Sequence, residues 1–446
     1  MDTPICRFLE KYLASGTVRL HMPGHKGSAV TGPEPWDITE IQGADELFHP
    51  NGIIRSSEEN AAHLFGSGRT LYSTEGSSLC VRAMVYLALA QARAEGRPPL
   101  ILAGRNVHKS FLSAAALLDA QVEWLWPENP DSLLSCLVTP EGLETALSRL
   151  PAPPAAVYVT SPDYLGHMLD IGGLKAVCLR HSVPLLVDNA HGAYLHFLRE
   201  DMHPLRYGAD LCCDSAHKTL PALTGGAYLH IGKGAPAGYF ENARRAMELF
   251  ATSSPSYLIL RSLDACNALL AGAFPEQLQK LAARAEGLKT HLSALGYPVI
   301  GDEPAKLTLA PKAYGYTGDR LHGILRQNGM ECEFSDPDHL TAMLSPCLGE
   351  EALERLQSVL SAVTPGAPIS ARPPRAPRPR RAFTLREAML SPSEELPIEK
   401  AVGRAISDSA LHCPPCVPVL AWGEIADEDA LGCYQYYGMK TCRVIK

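Results

Sequence analysis

The chain has 446 residues, of which 46% are hydrophobic and 20% charged, and its formal net charge is −8. This composition is typical of a globular protein of two or three domains, and the acidic balance argues against nucleic-acid binding. No apolar run approaches the roughly 20 residues of a membrane span, and the N-terminus lacks the apolar region of a signal peptide. We therefore expect a cytoplasmic protein that binds neither nucleic acid nor membrane.

Thirteen cysteines are scattered along the chain. Their odd number and scatter favour reduced thiols over a disulfide framework. Cys413-Pro414-Pro415-Cys416 is a CxxC, with Cys433 and Cys442 downstream, and zinc or a redox pair is the alternative there. Because the downstream pair lacks the tight spacing of a zinc ribbon, we predict no metal site.

In chain order, residues 1–60 are predicted to be irregular, with turn signals at Pro23-Gly24 and Pro50-Asn51-Gly52. From residue 61 to about 235, apolar runs of strand length alternate with helical patterns, and 236–275 has a helical pattern. Such alternation predicts an α/β domain over 61–275, with a mostly parallel sheet covered by helices on both faces. The predicted strands span residues 99–104, 121–126, 155–161, 184–189, 209–214 and 225–231, and a helix is predicted between Ser77 and Glu95.

The C-terminal third differs in composition. Residues 276–363 are predicted to form a small α+β domain, with a strand at Lys306–Leu309 between two amphipathic helices. Residues 364–381 are rich in proline and arginine and predict an extended linker, since prolines interrupt the charge run that a nucleic-acid tail requires. A compact segment over 382–446 follows.

Two polar side chains follow apolar runs and lie thirty positions apart, Asp188 after PLLV and Lys218 after ADLCC. Both runs are typical of buried parallel strands, whose carboxyl ends are where open α/β sheets bind ligands. A lysine there can form a Schiff base, and an aspartate can hold a pyridine nitrogen protonated. This pairing is the protein half of pyridoxal 5′-phosphate (PLP) chemistry. The alternative is a surface lysine and a solvated aspartate where loops begin.

Phosphate donors are predicted where Gly76-Ser77-Ser78 opens the helix that ends near residue 95. Gly76 permits close backbone approach, and hydroxyls at a helix N-terminus favour an anion. A plain helix cap is the alternative, and it is compatible with phosphate binding. Ser215 and His217 are predicted as further donors to the phosphate or to the ring hydroxyl.

The pyridine ring has its own predicted contacts. Arg105-Asn106-Val107-His108-Lys109-Ser110 follows a predicted strand, and His108 is predicted to lie flat on the ring. Ala190 is small enough to pack on the other face, and His191 is predicted to reach the ring oxygen. For His108 alone, a structural or exposed histidine is the alternative.

Six motifs resemble, in the same order, those of the bacterial ornithine/lysine/arginine decarboxylases, which have the aspartate-aminotransferase fold. They are His21 to Gly27, Arg105 to Ser110, Val187 to Tyr194, Ser215 to Leu220, Ser254 to Tyr257, and Pro414 to Pro418 followed by Gly423-Glu424. The chain length is similar to that of the compact Gram-positive type without a wing domain. The resemblance implies a fold type I PLP enzyme with a C-terminal decarboxylase-like domain over 382–446.

The same resemblance implies roles for single residues. Lys218 binds PLP covalently, Asp188 holds the pyridine nitrogen and His108 stacks on the ring. Ser77 and Ser78 match phosphate-binding positions, as do Ser215 and His217 beside the lysine. Ser253 corresponds to a hydroxyl that reaches the phosphate from a second subunit, so the resemblance implies a homodimer or a higher homo-oligomer.

Several positions depart from the family pattern, in which Glu replaces Asn189, Asn replaces Glu75 and Gly replaces Cys416. Its PTYYG is Pro162-Asp163-Tyr164-Leu165-Gly166 here, and its PGE is Trp422-Gly423-Glu424. These changes leave the cofactor residues intact and lie where a substrate pocket is expected. The sequence therefore leaves the substrate open.

We predict α-decarboxylation of a basic amino acid to its amine and CO2, within polyamine metabolism. An aminotransferase or β-lyase on the same fold, or a non-catalytic PLP-binding homologue, is the alternative. His108 favours the decarboxylase, because aminotransferases usually stack an aromatic residue at that position. Glu424 keeps the family's Gly-Glu step and is predicted to bind the distal cation of the substrate, an ordinary solvated acid being the alternative. The final proton donor, His108 or Lys218, stays open.

Overall fold

A computed structural model describes residues 1–127, 133–408 and 416–446. The predicted CxxC lies partly outside the described residues, since Cys413 and the two prolines after it fall in the second gap. The chain divides into two compact units. The first comprises Met1–Pro98, Ala155–Val157 and Leu174–Leu278, and the second comprises Pro99–Pro154, Tyr158–Gly173 and Gln279–Lys446. The predicted domain boundaries stay predictions.

The N-terminal 60 residues contain helices, so the prediction of an irregular segment was wrong for residues 4–14 and 53–60. Helix α1 spans Pro4–Ala14 and helix α2 spans Ile53–Phe65. Pro4 sits in the first turn, where a missing N–H costs nothing, and Ile5 and Leu9 are fully buried on one face of α1. The turn signals at Pro23-Gly24 and Pro50-Asn51-Gly52 both lie outside α1 and α2. They mark turns and do not exclude helices elsewhere in the segment.

A seven-stranded sheet has the order β1-β7-β6-β5-β4-β2-β3. Its strands are β1 Arg69–Ser73, β2 Leu100–Gly104, β3 Gln121–Leu125, β4 Ala156–Thr160, β5 Leu185–Asp188, β6 Leu211–Asp214 and β7 Ala227–Ile231. The six predicted strands agree with β2 to β7 to within two residues. Strand β1 was not predicted, because its residues are followed directly by the polar turn that opens the next helix.

Strand directions in the first unit bring three loops to one edge. Strands β1 and β6 are both antiparallel to β7, and β5 is parallel to β6. Strands β1, β5 and β6 therefore run in the same direction, and the loops after their carboxyl ends share one edge of the sheet. The helices that lie between or after these strands in the sequence are α3 Gly76–Ala94, α4 Lys109–Leu117, α5 Pro140–Ser148, α6 Ile171–Arg180, α7 Ala216–Thr219, α8 Ala237–Glu248 and α9 Tyr257–Leu270.

The remaining elements include a four-stranded antiparallel sheet of order β10-β11-β9-β8. Its strands are β8 Val299–Ile300, β9 Lys306–Leu309, β10 Phe334–Ser335 and β11 Leu340–Met343, and the helices near them in sequence are α10 Phe274–Ala294, α11 Gly318–Gln327 and α12 Glu350–Ala362. Strand β9 and the helices α10 and α12 were predicted from the sequence. The described residues 364–380 contain neither helix nor strand, and Arg381 forms an isolated antiparallel bridge with Glu424. The linker over 364–381 stays a prediction.

The C-terminal segment has its own three-stranded antiparallel sheet of order β12-β14-β13. Its elements are α13 Leu385–Leu390, β12 Ser393–Pro397, β13 Ile406–Asp408, α14 Glu428–Tyr436 and β14 Thr441–Ile445. Ile406, Val419, Leu420, Tyr434 and Val444 are fully buried in its core.

Within the described part of the chain, no single helix is long and apolar enough to cross a membrane. Helices α9 and α10 meet the criteria of length and composition only as a pair, bent by 77°. No disulfide joins any cysteines among the residues that the structure describes.

Candidate active site

Asp188 and Lys218 both lie at the sheet edge defined by β1, β5 and β6. Asp188 is the last residue of β5 and is only 4% exposed. Lys218 lies in α7, directly after β6, and is exposed. Its Nζ is 3.0 Å from Nε2 of His191, so the histidine that was predicted to reach the ring oxygen contacts the lysine.

The Asp188 carboxylate is held by two donors on one oxygen. Its Oδ1 accepts the Ala190 N–H at 3.2 Å and the Cys213 thiol at 3.5 Å. Cys213 is the register partner of Asp188 across the parallel strands β5 and β6. Burial, followed by the charge of Asp188, raises the pKa of Cys213 well above its ordinary value, so the thiol keeps its proton and donates. Sequence reasoning missed Cys213, although pairing the two predicted strands in register would have found it.

The predicted phosphate donors gather where α3 begins. Ser215 Oγ donates to Ser77 Oγ at 2.7 Å, which ties the residue after β6 to the first turn of α3. Gly76 has φ +70°, and a Cβ there would meet only His217 Cε1, at 3.9 Å. Glycine is therefore favoured by backbone conformation rather than by space. Ser78 lies in the same first turn, whose N–H groups have no helical partner.

His217 can donate a hydrogen bond to a phosphate only when both of its ring nitrogens carry a proton. Its Nδ1 is 2.9 Å from the carbonyl oxygen of Gly226, so Nδ1 carries the proton and Nε2 of the neutral ring is an acceptor. Burial, with a smaller contribution from the Lys218 charge, lowers the pKa of His217. The bare side chain is thus neutral at pH 7, and binding a phosphate through Nε2 requires proton uptake.

A buried network that the sequence did not predict lies behind this edge. Asp214, the last residue of β6, accepts hydrogen bonds on Oδ2 from His203 Nε2 at 3.0 Å and His230 Nε2 at 3.2 Å, and all three side chains are fully buried. Asn189 Nδ2 donates to Asp214 Oδ1 at 2.7 Å. Burial alone would raise the pKa of Asp214, but the two histidines hold it well below its usual value.

The spacing of His203, Asp214 and His230 would admit a metal ion. The hydrogen bonds argue for a proton network instead. His203 Nδ1 accepts the Leu205 N–H at 3.2 Å, so its proton must sit on Nε2, where it points at Asp214. A nitrogen that carries a proton has no lone pair for a metal. The network therefore anchors Asn189, the neighbour of Asp188.

His108 belongs to the second unit, where it caps α4. Its Nδ1 accepts the Ser110 N–H at 3.1 Å and lies 2.8 Å from Ser110 Oγ. Because Nδ1 accepts a hydrogen bond, the neutral ring carries its proton on Nε2. The role of His108 on a cofactor ring stays a prediction.

Glu424 is not a solvated loop acid, since it is only 2% exposed and forms an ion pair with Arg105 at 3.0 Å. Its Oε2 also accepts the Ala421 N–H at 2.7 Å. Sequence reasoning did not foresee Arg105 as its partner. The prediction that Glu424 binds the distal cation of a substrate stays a prediction, although Arg105 already neutralises the charge.

Asp163, which departs from the family pattern, organises its own loop in the second unit. Its Oδ1 accepts the N–H groups of Leu165 and His167, each at 2.9 Å. Its Oδ2 is 3.0 Å from His167 Nδ1, and this hydrogen bond raises the pKa of His167. Asp163 is 2% exposed, so its carboxylate stabilises the turn.

Glu75, a second departure, accepts the Thr252 N–H at 2.8 Å in the first unit. This bond fixes the loop that carries the exposed Ser253 beside the start of α3. The prediction that Ser253 reaches the phosphate of a second subunit stays a prediction. Elsewhere in this unit, a cavity of about 500 Å³ is lined by residues such as Arg55, Arg69 and Arg244, and none of the predicted site residues lines it.

Comparison with known proteins gives a consistent result. A family model described as "Orn/Lys/Arg decarboxylase, major domain" matches residues 3–295. Arginine decarboxylase from Halalkalibacterium halodurans is 29% identical, over 96% of this chain and 92% of that protein. Arginine decarboxylase from Bacillus subtilis is 28% identical, with the same shares covered.

The solved structure of lysine decarboxylase LdcF from Francisella novicida matches with a TM-score of 0.82. It is 18% identical, over 100% of this chain and 81% of that chain. At this identity the match shows the fold alone, and it confirms the predicted α/β fold class. The matched relatives are amino-acid decarboxylases by name.

Proposed function

Because this chain belongs to the Orn/Lys/Arg decarboxylase family, we propose that it removes the α-carboxylate of a basic amino acid as CO2, using PLP, and releases the amine. The observation that carries the proposal is the single sheet edge of the first unit. Buried Asp188, exposed Lys218 and the N-terminus of α3 all meet there. The arginine decarboxylases matched over 96% of the chain support a basic substrate.

The side chains at this edge fit the three chemical demands of PLP. Lys218 offers an accessible primary amine, and Asp188 offers a carboxylate whose position two donors fix. Ser77, Ser78 and Ser215 offer hydroxyl groups at the positive end of a 19-residue helix, where a phosphate dianion is favoured. When bound, PLP supplies the sink for the electron pair that the departing carboxylate leaves behind.

The side chains of the chain have distinct tasks in this proposal. Lys218 Nζ would hold PLP covalently, and His191 Nε2, 3.0 Å away, would help to orient this amine. Asp188 would accept a charge-assisted hydrogen bond from a protonated pyridine nitrogen. Two groups can return a proton to the substrate Cα, Lys218 Nζ and the Nε2–H of His108.

The proposal also includes a homodimer in which Ser253 completes the partner's phosphate site, and a cytoplasmic location within polyamine metabolism. The resemblance of Ser253 to a phosphate-binding hydroxyl supports the first part. The absence of a single membrane-spanning helix among the described residues is compatible with the second.

The reaction is tested by incubating the PLP-loaded protein with the twenty amino acids, ornithine and diaminopimelate, and measuring CO2 and amines. We expect equal amounts of CO2 and amine from one or more of arginine, lysine and ornithine. In a parallel incubation with an added 2-oxo acid, transfer of the amino group to that acid without CO2 release would overturn the proposal in favour of an aminotransferase.

The anchor is tested with Lys218→Ala. Without the Lys218 amine there is no covalent link, so we expect that borohydride fixes no PLP to the protein, as measured by the mass of the denatured chain, and that there is no turnover. Lys233→Ala is the matched control, because Lys233 is also exposed and follows the next strand, β7. PLP that borohydride fixes to the Lys218→Ala chain would show that another lysine holds the cofactor.

A further inference from the structure

The loop that carries His108 is bound on both flanks by one C-terminal segment of the same unit. We call Cys416, Pro418, Val419 and Glu424 the C-terminal clamp. On one flank, Arg105 Nη2 donates to Glu424 Oε2 at 3.0 Å and to the Val419 carbonyl at 3.1 Å, and Nη1 donates to the Pro418 carbonyl at 3.4 Å. On the other flank, the Lys109 N–H donates to the Cys416 carbonyl at 3.1 Å.

The first flank is buried and rigidly built. Arg105 is 6% exposed, and its guanidinium lies over the rings of Trp124 and Trp126, at 5.1 and 5.4 Å from their centroids. A guanidinium stacked on aromatic faces and bonded to a carboxylate and two carbonyls has little freedom to turn. Breaking such a buried pair is costly, because the remaining charge is left without compensation.

The Glu424 side of the clamp is fixed by its backbone. Gly423 has φ +84°, and a Cβ there would come within 2.2 Å of the Phe383 carbonyl oxygen. The Gly423 N–H donates to the Ile406 carbonyl at 2.7 Å, which ties the step to β13. Only glycine fits before Glu424, so the Gly-Glu step holds the carboxylate at a set position.

We propose that the C-terminal clamp positions His108, with Arg105 and Glu424 acting as positioning residues rather than as contacts of the substrate. The two anchored positions, Arg105 and Lys109, enclose His108, so its backbone can shift only if one anchor breaks. This proposal rests on the proposed function, because His108 matters as the residue expected on the cofactor ring.

The main test uses Glu424→Gln, Arg105→Gln and the double variant in the PLP-loaded protein. The hydrogen–deuterium exchange rate of the backbone amides at 106–110 shows whether the clamp holds this loop, and the measurement requires no turnover. We expect exchange there to rise about 10- to 100-fold in each single variant, and no further in the double variant than in Arg105→Gln, because Arg105→Gln already removes every bond of Arg105 to the clamp. The visible circular dichroism of the cofactor should change in parallel, and kcat should fall while KM changes less than about twofold.

The matched control is Glu394→Gln, because Glu394 pairs with Arg404 at 3.2 Å in the same segment and both side chains are more than a third exposed. We expect wild-type exchange at 106–110 in this variant. Unchanged exchange in Glu424→Gln would overturn the clamp. A raised KM for basic substrates with unchanged kcat and unchanged exchange would instead assign Glu424 to the distal cation.

A second variant covers the case in which the buried pair is needed for folding. Lys109→Pro removes the N–H that bonds Cys416, and proline is tolerated at the first position of a helix. His108 already has φ −68° and ψ 150°, the conformation that a following proline requires. We expect hydrogen–deuterium exchange at 106–108 to rise above the wild-type rate in Lys109→Pro and to stay at the wild-type rate in Lys109→Ala, which keeps the N–H. Equal exchange rates in the two variants would overturn the second anchor. Hydrogen–deuterium exchange needs no substrate. If the protein has no decarboxylase activity, the proposed function is refuted, but the exchange rates still test the clamp.

Discussion

At the residue scale, Asp188 combines a buried carboxylate with two donors that fix one of its oxygens. Asp188→Asn keeps the shape and loses the charge that stabilises a protonated pyridine nitrogen. We expect PLP to remain bound while kcat/KM falls by about 10²- to 10⁴-fold, since a charge-assisted contact is lost at the reaction centre. PLP affinity by absorbance titration and steady-state kinetics check this prediction.

Cys213→Ala serves as a comparison for Asp188→Asn, since it removes one donor to the carboxylate and leaves the charge. Its loss of activity should be much smaller. Near wild-type turnover in Asp188→Asn at saturating PLP would contradict the electron-sink argument.

Single site residues were predictable from the sequence where a reactive polar side chain follows an apolar strand pattern. Asp188 and Lys218 each follow an apolar run, and the parallel pairing of β5 and β6 brings both to one edge. The partner of Glu424 was not predictable in this way, because Arg105 lies 319 positions away. A pair of that sequence separation leaves no local pattern, so its burial and neutralisation are visible only in the fold.

At the scale of elements, the Asp214 network joins three strands of the first unit. Asp214 ends β6, His230 lies in β7, and His230 Nδ1 is 2.8 Å from Thr70 Oγ1 in β1. Asp214→Asn removes a buried charge from its two histidine partners. We expect a loss of about 3–5 kcal/mol in the free energy of the unfolding transition that includes β6, measured in urea at pH 7.

The pH dependence of this loss follows from the pKa of Asp214, which is lower in the folded protein than the ordinary 3.8. A carboxyl group with a lowered folded pKa stabilises the fold above its unfolded pKa, and the contribution declines as the pH falls below it. The difference between wild type and Asp214→Asn should therefore be constant near neutrality and shrink below about pH 4. Asp2→Asn, which breaks the exposed pair with Arg7, should show no such difference. A difference that grows on acidification would contradict the assignment.

Elements were predictable where hydrophobic patterns are strong, as the agreement of β2 to β7 with the predicted strands illustrates. Helix α1 was missed because its buried face depends on few apolar residues, Ile5, Cys6 and Leu9, beside abundant turn signals. Strand β1 was missed because an edge strand of five residues that leads into a helix start has little pattern of its own. In both cases the element is stabilised by packing partners that are distant in sequence.

At the scale of the whole molecule, the predicted site residues are divided between two units. Asp188, Lys218 and Ser253 belong to the first unit, and His108 and Glu424 belong to the second. The proposal adds a second copy of the chain, whose Ser253 completes the phosphate site. This sharing was predicted only from the resemblance at Ser253, since residue spacing within one chain does not mark which residues act on another chain, and it stays a prediction.

Sharing between subunits can be tested by complementation. Ser253→Ala should weaken PLP binding about 10- to 100-fold, because a hydrogen bond to a charged phosphate is lost. At a PLP concentration too low for this variant, both Ser253→Ala and Lys218→Ala are expected to be inactive. When the two variants are unfolded together in equal amounts and refolded, half of the dimers that form contain one chain of each. Each mixed dimer then has one site with an intact Lys218 and an intact Ser253 from the other chain. About a quarter of wild-type activity should return.

The result separates a shared site from a self-contained one. If Ser253 acts on the phosphate of its own chain, every site in the mixed dimer lacks either the lysine or the serine, and no activity returns. Ser148→Ala, an exposed serine of α5, serves as the control for refolding and should leave PLP affinity unchanged. Recovery near a quarter requires that each site draws a residue from both chains, because one intact site per mixed dimer is the only arrangement that produces it.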